Sequence, residues 1–176
     1  MAQGKGKATS NAISKGTGAA ASNAMAAGGG DADGNAYAAG GGGASSNSVA
    51  MKGGASKSSA VALKGGAAKS SATAKGGGMA KSNSMAKGGG SAQSLANAQG
   101  GGDALSNALT AGGGNAHAIS NADGGGNSLA NSMTSGGGTA QSDAVATHAG
   151  DATANAIADG EEGEGQFLRL FHTTQH

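Results

Sequence analysis

Residues Gly100–Asp123 read GGGDALSNALTAGGGNAHAISNAD, two glycine triplets each followed by nine residues in which small and larger side chains alternate. In the first half Ala104, Ser106, Ala108 and Thr110 form the small set, interleaved with Leu105, Asn107 and Leu109. An alternation of period two is the signature of a strand, whose successive side chains point to opposite faces. A helix of nine residues between glycine triplets would be too short to hold itself together. The segment predicts two strands joined by a glycine corner.

The same frame runs far beyond this stretch. Glycine triplets begin at Gly28, Gly76, Gly88, Gly100, Gly112, Gly124 and Gly136, all separated by multiples of twelve. The register extends from Gly4 to Asp159 without insertion or deletion, giving 13 units of 12 residues. The third column is Gly in every unit, from Gly6 and Gly18 to Gly138 and Gly150. Such a position needs either a positive φ or a very close backbone approach, as a tight corner does. Columns 5, 7, 9 and 11 hold only Ala, Ser, Thr or Gly, while the even columns carry the larger and charged residues.

A second period sets the topology. In alternate units, beginning with the first, column 10 reads Ile13, Tyr37, Val61, Met85, Leu109, Met133 and Ile157, apolar throughout. Column 8 of those units is Asn, or Ser at Ser59. The intervening units break both rules, with Leu95 and Ile119 in column 8 and Asn97 and Asn121 in column 10. The true period is therefore 24. Two strands and two glycine corners make one coil, and successive coils stack like on like. The sequence thus predicts an all-β chain, a two-sheet parallel β-solenoid of 24-residue coils built from 12-residue repeats. An up-and-down meander would set odd strands beside even ones and would need no such ladder.

The small residues are expected to line the interior. Turning the other face inward would bury Lys57, Lys69 and Lys81, at prohibitive cost without partners. An Ala/Ser interior lets two sheets approach well inside the ordinary ~10 Å spacing. Stacked Asn side chains would add amide ladders along the axis.

Composition narrows the alternatives. Gly fills 38 of 176 positions, Pro, Cys and Trp are absent, and the 36% of hydrophobic residues is mostly Ala. An ordinary globular core is out of reach, so periodic order is the route to a stable fold. Without Cys there is neither a disulfide framework nor a thiolate metal site. No segment approaches the length of a transmembrane helix, and Met1–Gly16 contains no apolar run of the kind that forms a signal-peptide core.

These Gly/Ala/Ser/Asn-rich units, with identical residues repeated in register, resemble silk-like and curli-like fibre-forming β-repeat proteins. The likeness covers Gly4 to Asp159 and lies in composition and repeat logic. It implies a structural protein that self-assembles into a fibre or filament by strand stacking, outside the cell or on its surface, with further copies of itself as partner. The alternative is a solenoid that binds a surface: ice, a polysaccharide, or a receptor at a fibre tip. Insect antifreeze solenoids share a 12-residue repeat, but their cysteines and ordered Thr motifs are missing here.

Charge is divided along the chain. Up to Lys87 ten Lys stand against Asp31 and Asp33, a balance of +8. From Gly88 onward Arg169 stands against eight acidic residues, a balance of −7. In a linear solenoid this sets a basic end against an acidic one, and head-to-tail contact of unlike ends gives open filaments. The basic half would attract nucleic acid weakly, but three aromatics in the chain offer no stacking platform, so nucleic acid is not the expected partner.

After Asp159 the repeat fails. Residues 160–166 read as an acidic, glycine-rich linker, and 167–176 as a hydrophobic segment that caps the last coil or docks onto another subunit. Phe167, Leu168, Leu170 and Phe171 are its apolar residues. The other candidate interface is the column from Ile13 to Ile157, since an exposed apolar stripe marks a contact surface. No catalytic constellation, cofactor motif or metal set emerges. His172 and His176 lack a third ligand, and Asp31-Ala-Asp33-Gly34 lacks the remaining carboxylates of a calcium loop. The expectation is a protein that is not an enzyme and needs no cofactor.

Overall fold

A computed structural model describes residues 1–3, 6–148 and 150–159, together with the backbone of Arg169–Thr173. The strands are β1 (Ala2–Gln3), β2 (Ala8–Lys15), β3 (Ala20–Ala27), β4 (Ala32–Ala39), β5 (Ala44–Ala50), β6 (Ser56–Leu63), β7 (Ala68–Lys75) and β8 (Ala80–Lys87). They continue as β9 (Ala92–Gln99), β10 (Ala104–Ala111), β11 (Ala116–Asp123), β12 (Ser128–Ser135), β13 (Ala140–Thr147), β14 (Ala152–Asp159) and β15 (Arg169–Thr173). Among the described residues there is no helix.

The strands sort by parity into two parallel sheets. The odd ones form an eight-stranded sheet in the order β1-β3-β5-β7-β9-β11-β13-β15, and the even ones a seven-stranded sheet from β2 to β14. From β1 through β14, each residue pairs with the one 24 positions along, as Asn107 does with Asn131 and Leu109 with Met133. This is the predicted solenoid, with the sheets split between alternate units. The exception is β15, where Asp143 aligns with Arg169 and Val145 with Phe171, a step of 26. The extra two residues keep the strand parity while breaking the repeat.

The interior is the small-residue face. Ala38, Ala62, Ala86, Ser82 and Ser106 are fully buried, and burial alternates along the strands. Column 7 adds a feature of its own. Ser58, Ser70, Ser94 and Ser106 each donate to the backbone carbonyl 12 residues earlier, on the opposite sheet, at 2.7–2.8 Å. A serine side chain spans this gap only because the sheets lie much closer than the usual ~10 Å. These bonds satisfy hydroxyls that would be costly to bury alone.

The corners divide their work between columns. Columns 1 and 2 turn through positive φ, +85° at Gly100 and +91° at Gly101. Where column 1 is not Gly, Lys52, Lys64 and His148 hold the left-handed conformation at 59–62°. The invariant third column has the other reason for being Gly. A Cβ on Gly30 would lie 1.9 Å from the carbonyl oxygen of Gly6, and one on Gly78 2.0 Å from that of Gly54. Close stacking of successive corners, rather than backbone twist, fixes that column, although Gly138 also turns through a positive φ of +116°.

Candidate functional site

The outer face of the seven-stranded sheet carries the most regular surface of the molecule. Its strands stack column 10 into one line, Ile13 on Tyr37, then Val61, Met85, Leu109, Met133 and Ile157. Ile13 is 72% exposed and Ile157 51%, whereas Val61, Met85 and Leu109 are half-buried by their neighbours. The other sheet has no equivalent. Its column 10 passes from Met25 and Val49 through Thr73, Asn97 and Asn121 before Val145.

A second ladder runs beside the apolar one. Asn35 donates its amide to Asn11 at 3.0 Å, and Asn107, Asn131 and Asn155 each donate to the residue 24 earlier at 2.8–2.9 Å. Ser59, too short to join, separates the two runs. Between the ladders lies a shallow groove. Its larger stretch, about 560 Å³, is lined by Asn107, Leu109, Asn131, Met133, Asn155 and Ile157. A further stretch of about 340 Å³ lies among Asn11, Ile13, Asn35, Tyr37 and Val61.

Charges are partly paired on the surface. Lys7 contacts Asp33 at 2.5 Å, and the hydrogen bond and charge of that carboxylate raise the lysine above its ordinary pKa. Asp123 accepts from the Thr147 hydroxyl at 2.5 Å, which with nearby His148 lowers its pKa. His117 stands 3.4 Å from Asp143. Lysines also stack on one another, Lys57 directly on Lys81 with Asp33 on its other side.

Comparison with protein-family models, curated proteins and solved structures finds no match to this chain.

The sequence-derived candidates are placed unevenly. All seven residues from Ile13 to Ile157 come together as one column. Leu170 and Phe171 lie in β15, aligned with Ala144 and Val145 at the end of the eight-stranded sheet. Phe167, Leu168, His176 and the 160–166 segment lie outside the described residues. Among the described residues no cluster of three or more His, Cys, Asp or Glu could hold a metal, and no helix is long and apolar enough to cross a membrane. The Asp31 carboxylate is taken by the Ala55 backbone N–H at 2.9 Å.

That last contact belongs to a set that sequence reasoning missed. Asp103 accepts from Asn127 N–H at 2.9 Å, and Asn127 in turn from Asp151 N–H at 3.2 Å. Each joins one coil to the next through the column that follows the glycines. The recurrence of Asp and Asn immediately after the triplets was the available signal.

Proposed function

We propose that the protein is structural and self-assembling, building a filament or fibre at the cell surface or outside the cell. The observation that carries this reading is the unbroken apolar column on one flat face. It stands exposed at both ends of the sheet and partly exposed between. An apolar line of this length on a rigid surface favours contact with another such line, and the partner that repeats it in register is a second copy. The separation of lysine-rich early coils from acidic late ones supports end-to-end growth as well.

Sedimentation of the purified protein, against a variant carrying Val61→Asn, Met85→Asn and Leu109→Asn, tests the lateral contact. The variant is expected to lose lateral association, and unchanged sedimentation would sink the stripe as an interface.

The groove favours a second reading, a solenoid that binds an extended ligand such as a polysaccharide. Hydrogen-bonding amides form one wall of it and aliphatic side chains the other. An ice surface is a weaker candidate, because column 6 changes from Lys81 to Leu105 to Leu129 along the same sheet. Saccharide binding or thermal hysteresis by a protein that forms no fibres would favour surface binding.

A further inference from the structure

The two ends of the seven-stranded sheet match one another residue for residue. At one end β2 has no partner on its outer side among the described residues, and at the other β14 has none. Parallel strands use alternate residues to bond forward and backward. Ala8 N–H donates forward to Asp31 at 2.8 Å and Ser128 N–H forward to Asp151 at 2.8 Å, while Met51 N–H donates back to Ala26 at 3.0 Å. The edge of β14 therefore presents a forward set and the edge of β2 a backward set. Each is what the other lacks.

We propose that copies join end to end by pairing β14 of one with β2 of the next, in the register that sets Asp151 on Lys7, Asn155 on Asn11, Ile157 on Ile13 and Asp159 on Lys15. This rests on the self-assembly reading above and adds its axial interface. Both outer flanks bring opposite charges together, and the Asn ladder and apolar column pass through the junction without a break. Lys15, Asp151 and Asp159 have no ion pair within the chain among the described residues, whereas Lys7 is shared with Asp33. Setting β14 on β3 instead would oppose Asp151 to Ala19 and Asp159 to Ala27, with no charge matched.

Gly6 supplies an independent observation. In later coils the third-column glycine is required because the carbonyl of the glycine 24 residues earlier lies 1.6–2.2 Å from where a Cβ would be. Gly6 lies in the first coil, has no positive φ, and among the described residues its Cβ would meet only the Ala2 methyl at 3.6 Å. The other third-column glycine of the first coil, Gly18, already meets Ser14 Oγ at 2.9 Å. Among the described residues of a single copy nothing calls for glycine at position 6. In the proposed register the carbonyl of Gly150 from the preceding copy fills the place that excludes a side chain.

The junction also brings β15 and the next copy's β1 into one layer of the eight-stranded sheet. Arg169 and Leu170 occupy columns clear of Ala2 and Gln3, whereas Phe171 aligns with Val145 in the column that Met1, lying by Met25, continues into. His172 and Thr173 align with Ala146 and Thr147, the columns that Ala2 and Gln3 take on Ala26 and Ala27. Phe171, His172 and Thr173 thus restrain joining until they yield.

Oxidative cross-linking tests the register, since the chain has no cysteine of its own. Thr9→Cys with Thr153→Cys, both exposed, is expected to give a ladder of covalent multimers, as in-register neighbouring strands suit a disulfide. Deleting residues 171–176 should lower the protein concentration at which the ladder appears. Adding Gly6→Ala should abolish it while leaving the thermal unfolding of the dispersed protein unchanged. Linking through Ala21→Cys with Thr153→Cys instead, or a Gly6→Ala protein that still links, overturns the register. So does a Gly6→Ala protein destabilised as much as Gly30→Ala. Filaments without the Thr9–Thr153 link would overturn the junction but leave self-assembly standing. A protein monomeric in every form, including the deletion, would end both.

Discussion

Replacing Gly78 by Ala probes the contact that spaces the coils. The added methyl would lie 2.0 Å from the carbonyl oxygen of Gly54 and 2.8 Å from its carbon, both backbone atoms with no rotamer to escape through. The gap between the coils must open by about 1.4 Å to restore an ordinary contact. Two ladder bonds flank that corner, Ser56 N–H to Met79 at 2.9 Å and Gly53 N–H to Lys75 at 3.0 Å. Stretching both to about 4 Å takes them outside hydrogen-bonding range. At about 1–3 kcal/mol for each of the two N–H donors left unpaired, the loss comes to about 2–6 kcal/mol. Gly137→Asn is the control: its φ is +81° and its Cβ would meet nothing within 4 Å, so only the conformational cost of about 1–2 kcal/mol remains. Urea unfolding followed by circular dichroism measures both. If Gly78→Ala costs no more than Gly137→Asn, close stacking is not the reason for the invariant column.

Other expectations follow from single contacts. Thr134 Oγ1 is the buried side-chain polar atom without a hydrogen-bond partner among the described residues, whereas Thr110 Oγ1 donates to Gly114 at 3.1 Å. Thr134→Val should therefore stabilise by about 1 kcal/mol and Thr110→Val destabilise by a similar amount, measured by urea unfolding. Because the Asp123 pKa is lowered on folding, its contribution is complete above the ordinary carboxylate range and is lost as pH falls through the lowered value. Thr147→Val removes the main hydrogen bond, so an NMR titration should show the Asp123 pKa moving back up.

The repeat made much of this architecture legible. Period two along Gly100–Ala111 marked the strand, and period 24 in column 10 separated the sheets, because parallel stacking turns sequence periodicity directly into spatial ladders. The inward Ala/Ser face followed from the cost of burying Lys57, Lys69 and Lys81. The sequence left open whether column-3 glycine served φ or close approach, since both leave the same residue; only the position of the Gly6 and Gly54 carbonyls distinguishes them. The serine bonds between sheets were hidden for a related reason. Ser58 and Ser94 look like any small inward residue until the opposing carbonyl is placed. The pairing of β15 escaped because it depends on a register shift of two residues after the repeat has stopped. The seven-residue apolar column was visible from the start; what the fold adds is its exposure and the Asn ladder beside it.

The most direct test of the account is cryo-electron microscopy of the purified chain at low and moderate salt. End-to-end joining adds seven layers of the even sheet per copy, so filaments should show ~4.8 Å layer lines and a subunit repeat of about 34 Å. Their layers should continue across every junction, and raising the salt should shorten them as the Lys–Asp contacts are screened. Dispersed rods one copy long at every salt and concentration, with or without residues 171–176, would contradict it.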